Sequence, residues 1–337
     1  MLNQNLKRTS GLKRTPGAAR IAIAVVCATL VAAEATAQAF PSKPITIVVP
    51  FPAGGVTDPV ARAVGIKITE STGQTVIVDN KPGAASIIGA EIVKRAAPDG
   101  YTVFFGHFAS HAVNQFIYAK LPYDPIKDFA PITPIIFTQS LLVVPLSSPA
   151  KTVAELVAYA KSKPGGLNYA SQGIAAGGHL LGEMFKGQAG VTLNHIPYKG
   201  SGPAIQDILA GRIDLFFDAL ITSGVQVKDG KLRALALASP KRSPLYPNVP
   251  TMAEAGYPNV ELIAWFGMFA PGGTPPAIVN RLNDEFIKAI RSPDIAKRFT
   301  DLGLDIYTST PAEFTALIAS DAVKYAKLVK EAGITAE

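Results

Sequence analysis

Short apolar runs alternate with stretches of helical periodicity along most of the chain. The residues of Ile45–Val49 are all β-branched and only one of them, a Thr, is polar, which is typical of a strand buried on both faces. Val60, Val64 and Ile68 then recur every four residues and predict a helix with one buried face, with Asp58 as its N-cap. The same alternation predicts further strands at 75–79, 101–105, 141–144, 167–170, 194–197, 213–217, 234–238 and 267–270, and helices over 86–97, 153–162, 177–186, 203–210, 276–291 and 310–333.

Strands that alternate with helices predict parallel sheets covered by helices, and the chain holds two such runs, each near the size of a domain. We therefore predict an α/β fold with two lobes, each a mostly parallel sheet flanked by helices. Ligands of open parallel sheets bind beyond the carboxyl ends of the strands. The loops that follow strands, facing a cleft between the lobes, are accordingly where we expect function.

Residues 1–39 have the features of a secretory signal peptide. Basic residues come first, and an apolar run at 21–33 follows that is too short to cross a bilayer as a helix. Small-x-small sites lie at 35–37 and 37–39, and we predict cleavage near Ala39 and export from the cytoplasm. The alternatives are an uncleaved anchor and a lipid anchor at Cys27, which Val25 and Val26 in front of it disfavour.

Removing this segment changes the charge of the chain. The formal net charge of +7 falls to +3, because the segment carries five Lys and Arg residues and only Glu34 as an acid. No run of like charges remains, which argues against a nucleic-acid partner. Cys27, the only cysteine, is lost as well, so the remaining chain has no disulfide, no thiolate metal site and no thiol nucleophile.

Two small-residue loops are candidate binding sites, because each runs from a predicted strand into a helix start. Glycine lets the backbone approach a ligand closely, and a helix N-terminus presents free N–H groups and a positive dipole end to an anion. Neither loop contains Arg or Lys, so we expect recognition through backbone amides, hydroxyls and water. The alternative for each loop is an ordinary tight turn. The candidate residues are Pro52, Ala53, Gly54, Gly55, Val56, Thr57 and Asp58 in the first loop, and Ser171, Gln172, Ala176, Gly177 and Gly178 in the second.

Other polar and aromatic residues allow two interpretations each. Asp218 directly follows a predicted strand and is either a ligand contact or a turn residue. Asp58 is a helix cap or, less simply, a general base. Each histidine is expected to be structural or exposed. Trp265 and Phe266 favour packing between the lobes over stacking on a ligand.

Catalytic and metal motifs are missing from the sequence. There is no G-x-S-x-G elbow, no Walker A lysine and no G-x-G-x-x-G, and the histidines do not pair with carboxylates at metal-ligand spacing. We predict no enzyme activity, no cofactor and no metal.

Short motifs in a fixed order cover nearly all of the chain after residue 39 and resemble the substrate-binding proteins of tripartite tricarboxylate transporters, also called the Bordetella uptake gene family. Each motif is brief, and the ordered set is specific. The motifs lie at 43–51, 54–62, 80–84, 98–102, 171–180, 197–204 and 250–256.

The resemblance implies a periplasmic-binding-protein fold, with a first lobe over 40–140 and 263–337, a second over 141–262, and crossing strands between them. It also implies a small di-, tri- or aromatic carboxylic acid as ligand, membrane transporter subunits as partners, and a monomer in the periplasm. Ser86, His107 and Tyr198 complete the candidate contacts. The sequence departs from the family pattern at Ala53, at Ala85 and in the histidine-containing loop at 106–111. From that loop we form the hypothesis that the ligand is wider than usual or aromatic.

Two other functions remain open. A sensing module would bind the same ligand and dock on a signalling receptor instead of a transporter. A hydrolase of the same architecture would use Asp58 and a histidine as its acid–base pair.

Overall fold

The structure, a computed structural model, describes residues 40–335. The predicted signal peptide and its cleavage site lie outside the described residues. Within them, no helix is both long and apolar enough to cross a membrane. The residues from Lys43 onward form one unit that contains two sheets.

Six strands form the first sheet, which together with its helices is called the first lobe below. The strands are β1 (Ile45–Val49), β2 (Val76–Asn80), β3 (Thr102–His107), β4 (Phe129–Thr138), β10 (Ala264–Pro271) and β11 (Leu304–Ile306). Their order is β11-β4-β10-β3-β1-β2. The helices of this part are α1 (Thr57–Thr72), α2 (Ile87–Lys94), α3 (Asn114–Ile117), α8 (Pro276–Ile290), α9 (Pro293–Asp301) and α10 (Pro311–Ala332), with a 3₁₀ turn at Ala84–Ser86 and a π-helical turn at Ala109–Val113.

Five strands form the second sheet, and with its helices it is the second lobe. The strands are β5 (Ser140–Pro145), β6 (Leu167–Ser171), β7 (Leu193–Pro197), β8 (Leu215–Ala219) and β9 (Leu232–Leu237), in the order β7-β6-β8-β5-β9. The helices are α4 (Val153–Lys161), α5 (Gly177–Ala189), α6 (Ser201–Leu209) and α7 (Leu220–Lys228). Sheet membership changes between Thr138 and Ser140 and again between Leu237 and Ala264, and the lobe boundaries given above stay a prediction.

The two-lobed α/β fold is confirmed, and both sheets are mixed where the alternation predicted mostly parallel ones. Strands β5 and β10 run against their neighbours β8 and β3. The reason is the path of the chain between the sheets. Ser140, at the start of β5, pairs with Ala219 at the end of β8, and Phe266, near the start of β10, pairs with His107 at the end of β3. A strand that enters a sheet from the edge where the others end must run antiparallel to them.

Strand β4 was not predicted, because Pro131 and Pro134 interrupt its apolar pattern. Proline cannot donate to a sheet ladder and is tolerated at bulges. Gly267 of β10 pairs with Pro134 of β4, and Met268 pairs with Thr133. The register between the two strands shifts once before and once after these two pairs. The two irregularities accommodate both prolines inside a central strand.

One glycine in α5 allows this helix to lie close to its sheet. A Cβ at Gly182 would lie 2.2 Å from Cε2 of the buried Tyr169 ring on β6. The Tyr169 hydroxyl also donates to Glu183 at 2.7 Å, so the ring is held at both ends. Gly187, in the same helix, has open space around the corresponding position.

These two glycines give a matched pair of variants. We expect Gly182→Ala to lower the free energy of unfolding by about 1–3 kcal/mol, since the ring cannot move away. Gly187→Ala should raise it by up to about 1 kcal/mol, since alanine favours the helix. Urea denaturation of both variants measures the difference, and equal effects would contradict the close contact at Gly182.

Candidate functional site

A cleft lies at the edges where strands of the two sheets end, and it encloses a cavity of about 150 Å³. Both lobes line it, and so do the crossing strands through Thr138, Ser140 and Ala264. Many of the predicted contact residues are brought together here: Pro52, Ala53, Gly54, Gly55, Val56, Thr57, His107, Gln172, Ala176 and Gly177. The other candidates, Asp58, Ser86, Ser171, Gly178, Tyr198 and Asp218, do not line the cavity.

Four helices begin at the cleft. Their N-terminal ends, at Val56, Ala176, Gly200 and Ala219, all belong to the cavity lining. None of these N-cap residues makes a side-chain hydrogen bond to its helix. The first N–H groups of a helix lack partners within it and carry the positive end of its dipole. The cleft is therefore surrounded by positive helix ends from both lobes.

Asp58 supports the first-lobe loop from below. The prediction that it caps α1 is wrong, because the helix begins at Thr57 and the N-cap residue is Val56. Its carboxylate instead accepts from the Gly54 N–H at 3.3 Å and from Arg62 Nε at 3.1 Å. Burial raises the pKa of this carboxyl, but the hydrogen bonds from Arg62 and Gly54 outweigh that effect and hold the pKa below its usual range. A carboxylate held in this way is a poor general base.

Thr57 is the first residue of α1 and lines the cavity. The residue is buried, and its hydroxyl has no hydrogen-bond partner among residues 40–335. A buried polar group without a partner costs free energy. The hydroxyl oxygen is itself shielded from the cavity, so a ligand oxygen reaches it only if the Thr57 side chain rotates.

Asp218 is a buried carboxylate at the end of β8 that accepts four hydrogen bonds. Oδ1 accepts from Gln172 Nε2 at 2.8 Å and from Ser201 Oγ at 2.6 Å. Oδ2 accepts from Thr222 Oγ1 at 2.5 Å and from Ser223 Oγ at 2.6 Å. With its acceptor sites occupied and its side chain outside the lining, Asp218 holds segments of the second lobe together, and the ligand contact expected from the sequence stays a prediction.

Gln172 and Gly178 also serve the second-lobe loop itself. The side-chain amide oxygen of Gln172 accepts a hydrogen bond of 3.0 Å from the Gly178 N–H in the first turn of α5, which occupies one free donor of that helix. A Cβ at Gly178 would lie 2.6 Å from the Phe217 carbonyl, so only glycine fits against β8. Gly178 is a packing residue, and Gly177 is the residue of this pair that lines the cleft.

Ser171 lies beneath the same loop, next to two stacked histidines. Its hydroxyl is 2.6 Å from His195 Nε2, and the rings of His195 and His179 stack at 3.9 Å. Burial, with a smaller effect of His179, lowers the pKa of His195 to about 3. The two histidines are therefore uncharged at neutral pH, and their stacked rings pack beneath the loop.

His107 is the candidate on the aromatic side of the cleft. Its Nδ1 accepts from the Ala109 N–H at 3.3 Å, which assigns the proton to Nε2, and this nitrogen donates to Ser86 Oγ at 2.8 Å. Burial lowers the pKa of His107 to about 3, so the ring is neutral. Ser86 lies under His107, at the end of a turn in which Ala84, Ala85 and Ser86 all have positive φ.

Tyr198 and Trp265 are also placed away from the cavity. The Tyr198 hydroxyl donates to Asp207 of α6 at 2.7 Å. Trp265 does not pack between the lobes as expected, since it is buried against Phe314 in the first lobe and donates to Asp321 at 2.6 Å. Its neighbour Phe266 reaches the cleft.

Several lining residues were missed from the sequence. The most important is Lys199, which brings a cation to the cleft where ion pairs were not expected; within residues 40–335 it forms no ion pair. Its loop follows β7, so the rule that ligands bind beyond strand ends also points there. The other missed residues are Phe51, Phe108, Thr138, Ser140, Gly200, Ser201, Gly202, Pro203, Ala219, Ala264 and Phe266.

The two lobes approach each other across the cleft. A Cβ at Gly200 of the second lobe would lie 3.6 Å from Pro52 Cδ of the first, and one at Gly177 would lie 4.0 Å from Phe108 Cζ. The backbones of the two glycines therefore lie close to the first lobe across the cleft. The described residues contain no cluster of three His, Cys, Asp or Glu side chains that could hold a metal ion.

Comparison with known proteins gives one consistent family. The family described as the tripartite tricarboxylate transporter family receptor matches residues 60–334. The structure of Rpa4515 from R. palustris with adipate is 35% identical, covers 88% of this chain and 99% of its own, and superposes with a TM-score of 0.84. The periplasmic binding protein BugD is 35% identical, with 88% and 100% covered and a TM-score of 0.83. MatC from Rhodopseudomonas palustris, with bound malate, is 32% identical, with 86% and 100% covered and a TM-score of 0.81.

Replacing Asp218 tests its structural role. We expect Asp218→Asn to lower the free energy of unfolding by about 2–4 kcal/mol, because an amide nitrogen would face donors from three segments. Asp229, in an exposed ion pair with Lys231, is the control, and Asp229→Asn should change stability by less than about 1 kcal/mol. Chemical denaturation measures both, and a neutral Asp218→Asn would show that the network does not need the charge.

The lowered pKa of His107 predicts a loss of stability in acid. The unfolded chain binds a proton at this histidine near pH 6.5, while the folded chain binds it only near pH 3. Between these values the unfolded state holds more protons, so stability falls as the pH drops from about 6.5 towards 3. His107 alone should cost about 2 kcal/mol between pH 7 and pH 5.

His107→Gln keeps a polar side chain without a titrating ring and is the matched variant. Urea denaturation at pH 7 and pH 5 should show a smaller loss of stability in this variant than in the parent protein. The same loss in both proteins would mean that His107 is not neutral and buried in the folded state.

Proposed function

The chain belongs to the tripartite tricarboxylate transporter receptor family, which confirms the family expected from its motifs, and we propose that it is a periplasmic receptor for a small carboxylate. It captures the acid in the cleft and delivers it to the membrane subunits of a transporter. The receptor acts as a monomer, exported through the predicted signal peptide and cleaved near Ala39.

The observation that carries this proposal is the charge of the cleft. Four helix N-termini lie there and none has a side-chain hydrogen bond from its own N-cap residue, Lys199 is a cation in the lining, and none of the described lining residues has a carboxylate. Helix N-termini bind anions through their free N–H groups and dipoles. A site built in this way favours an anionic ligand, which has either one carboxylate or two carboxylates that bridge the lobes.

The size of the cavity and the ligands of related proteins agree with a small acid. A cavity of about 150 Å³ corresponds to roughly ten to fifteen water-sized spheres. Rpa4515 and MatC hold adipate and malate, both carboxylates. We therefore propose an acid of comparable size as the ligand.

The crossing strands suggest how binding is communicated. Strand β4 passes into β5 through the single residue Gln139, and β10 returns from the second lobe at Ala264. Domain closure uses a few residues at such crossings as hinges. We propose that the acid stabilises the closed arrangement and that the transporter recognises this form.

Hydrolysis is disfavoured by the position of the Ser–His pairs. Ser86 contacts His107, Ser110 contacts His111 and Ser171 contacts His195, but all three serines are buried and outside the cavity lining. A nucleophile must reach the substrate. The pairs therefore support the walls of the cleft.

Replacing Thr57, whose hydroxyl is unpaired, tests whether this side chain contributes to ligand affinity or to the stability of the fold. We expect Thr57→Val to weaken carboxylate binding about tenfold, since a hydrogen bond to a charged group contributes roughly 1.5–3 kcal/mol. Stability should stay equal or rise, because the variant removes a buried hydroxyl without a partner. Titration calorimetry and urea denaturation measure the two effects.

Thr72→Val, at the other end of α1, is the control for this variant. The Thr72 hydroxyl donates to the Ile68 carbonyl at 2.7 Å, away from the cleft, so affinity should be unchanged. If Thr57→Val lowers stability and leaves affinity intact, Thr57 has a structural role only.

The receptor function itself is tested by a thermal-shift screen of mono-, di- and tricarboxylic acids followed by uptake. A ligand at one hundred times its Kd stabilises the folded state by about 2.7 kcal/mol, which is measurable as a higher Tm. Deleting the gene should then abolish uptake of the acid that binds. Binding without any effect on uptake would favour the sensing role, and no binding by any acid would overturn the proposal.

A further inference from the structure

We infer, on the basis of the proposed function, that the cleft selects acids with an apolar body, a ring or an alkyl chain, over acids that carry hydroxyls. The specificity-determining feature is the aromatic wall, which we define as Phe51, His107 and Phe266. All three line the cavity.

The three rings of the aromatic wall contact one another. The His107 and Phe266 rings are stacked, with centroids 5.8 Å apart and planes at 26°. Phe51 lies 5.1 Å from His107 and 6.3 Å from Phe266. Contacts at these distances are typical of aromatic clusters that also accept a further ring or chain. The aromatic wall thus forms one continuous apolar surface of the first lobe.

His107 adds no free polar atom to this surface. One ring nitrogen donates to Ser86 Oγ and the other accepts from the Ala109 N–H, so both are already paired beneath the cavity. The ring is also uncharged at neutral pH. His107 therefore adds its ring and no free polar atom to the aromatic wall, where it is buried against Phe51 and Phe266.

The second lobe opposes the wall with small residues and occupied polar groups. Ala176, Pro203 and Ala219 line that side. The side chains of Gln172 and Ser201 are also there, but both donate to Asp218. A ligand hydroxyl between the aromatic wall and these residues would lose its hydration and gain no donor from the second-lobe side chains named here.

The polar groups that remain for the ligand lie at the helix ends and loops that face the cleft and on the crossing strands. They are the Lys199 ammonium, the helix N-termini, and the hydroxyls of Thr138 and Ser140. They suit the carboxylate of the acid. The body of the acid is left to the aromatic wall, where each buried methylene contributes about 0.8 kcal/mol.

Calorimetric titration of the exported protein with benzoate, adipate and malate tests this selection. Benzoate offers a ring, adipate an alkyl chain, and malate a short chain with a hydroxyl. We expect benzoate, adipate or both to bind at least tenfold more tightly than malate, and the stronger of the two identifies ring or chain. Malate binding as tightly as both, or more tightly, would overturn the inference and leave the proposed function standing. If no carboxylic acid binds, the proposed function fails first.

Truncating the aromatic wall provides the matched variant. Phe51→Ala should weaken the apolar acid about tenfold and change malate binding by less than about twofold. Phe116→Ala is the control, since Phe116 is exposed and outside the cavity lining. An equal loss for malate and for the apolar acid would show a damaged loop instead of selection and would overturn the role of the wall.

Phe51→Leu keeps the result interpretable if Phe51→Ala disturbs the fold. Leucine retains much of the apolar surface, so this variant should recover most of the affinity for adipate and less of that for benzoate, which loses a ring contact. A Phe51→Leu variant that folds but recovers no affinity for adipate would contradict the inference.

Discussion

The second lobe depends on one buried charge. The Asp218 carboxylate is removed from solvent and, among residues 40–335, has no cationic partner, so its desolvation is offset by hydrogen bonds alone. Its donors come from the β6 loop, from the start of α6 and from the first turn of α7. Each donor must be in place for the charge to be tolerated, which fixes the relative positions of three segments. The cleft-facing backbone of the second lobe inherits its geometry from this network.

The same charge makes the cleft asymmetric. The Asp218 carboxyl group lies at the N-terminal ends of α6 and α7, next to the positive ends of those two helix dipoles. Asp58 is a comparable carboxylate in the first turn of α1, whereas the first turn of α5 contains no acidic residue, and Lys199 adds a full positive charge. We therefore expect a bound carboxylate to be attracted most strongly by α5 and Lys199. Recognition by helix ends and recognition by a cation act together, whereas the two loops alone predicted only the first.

Sequence patterns predicted the parts of this architecture that depend on the backbone. Ile45–Val49 and the capped helix after Thr310 follow directly from burial and capping, and the two glycine loops do line the cleft. Strand β4 was missed because its prolines are accommodated only by bulges against β10. Asp58 was misassigned as the N-cap of α1, since its carboxylate bonds to Gly54 and Arg62 instead. The sequence left two interpretations of Asp218 open, because the direction of a side chain after a strand depends on its neighbours in space. No periodicity separates a carboxylate that faces a ligand from one that faces four donors.

The turn beneath His107 shows what positioning a neutral histidine costs. Ala84, Ala85 and Ser86 have φ of 45°, 50° and 74°, a left-handed conformation that costs roughly 1–2 kcal/mol per residue outside glycine. Asn114 holds the turn by donating to the Ala85 carbonyl at 3.0 Å. Glycines would relieve the strain, but they would also free the backbone that places Ser86 Oγ under His107 Nε2. Because strain of this kind persists only where the surroundings enforce it, the turn indicates that the orientation of the His107 ring matters. A fixed, neutral ring face is what an apolar ligand wall requires.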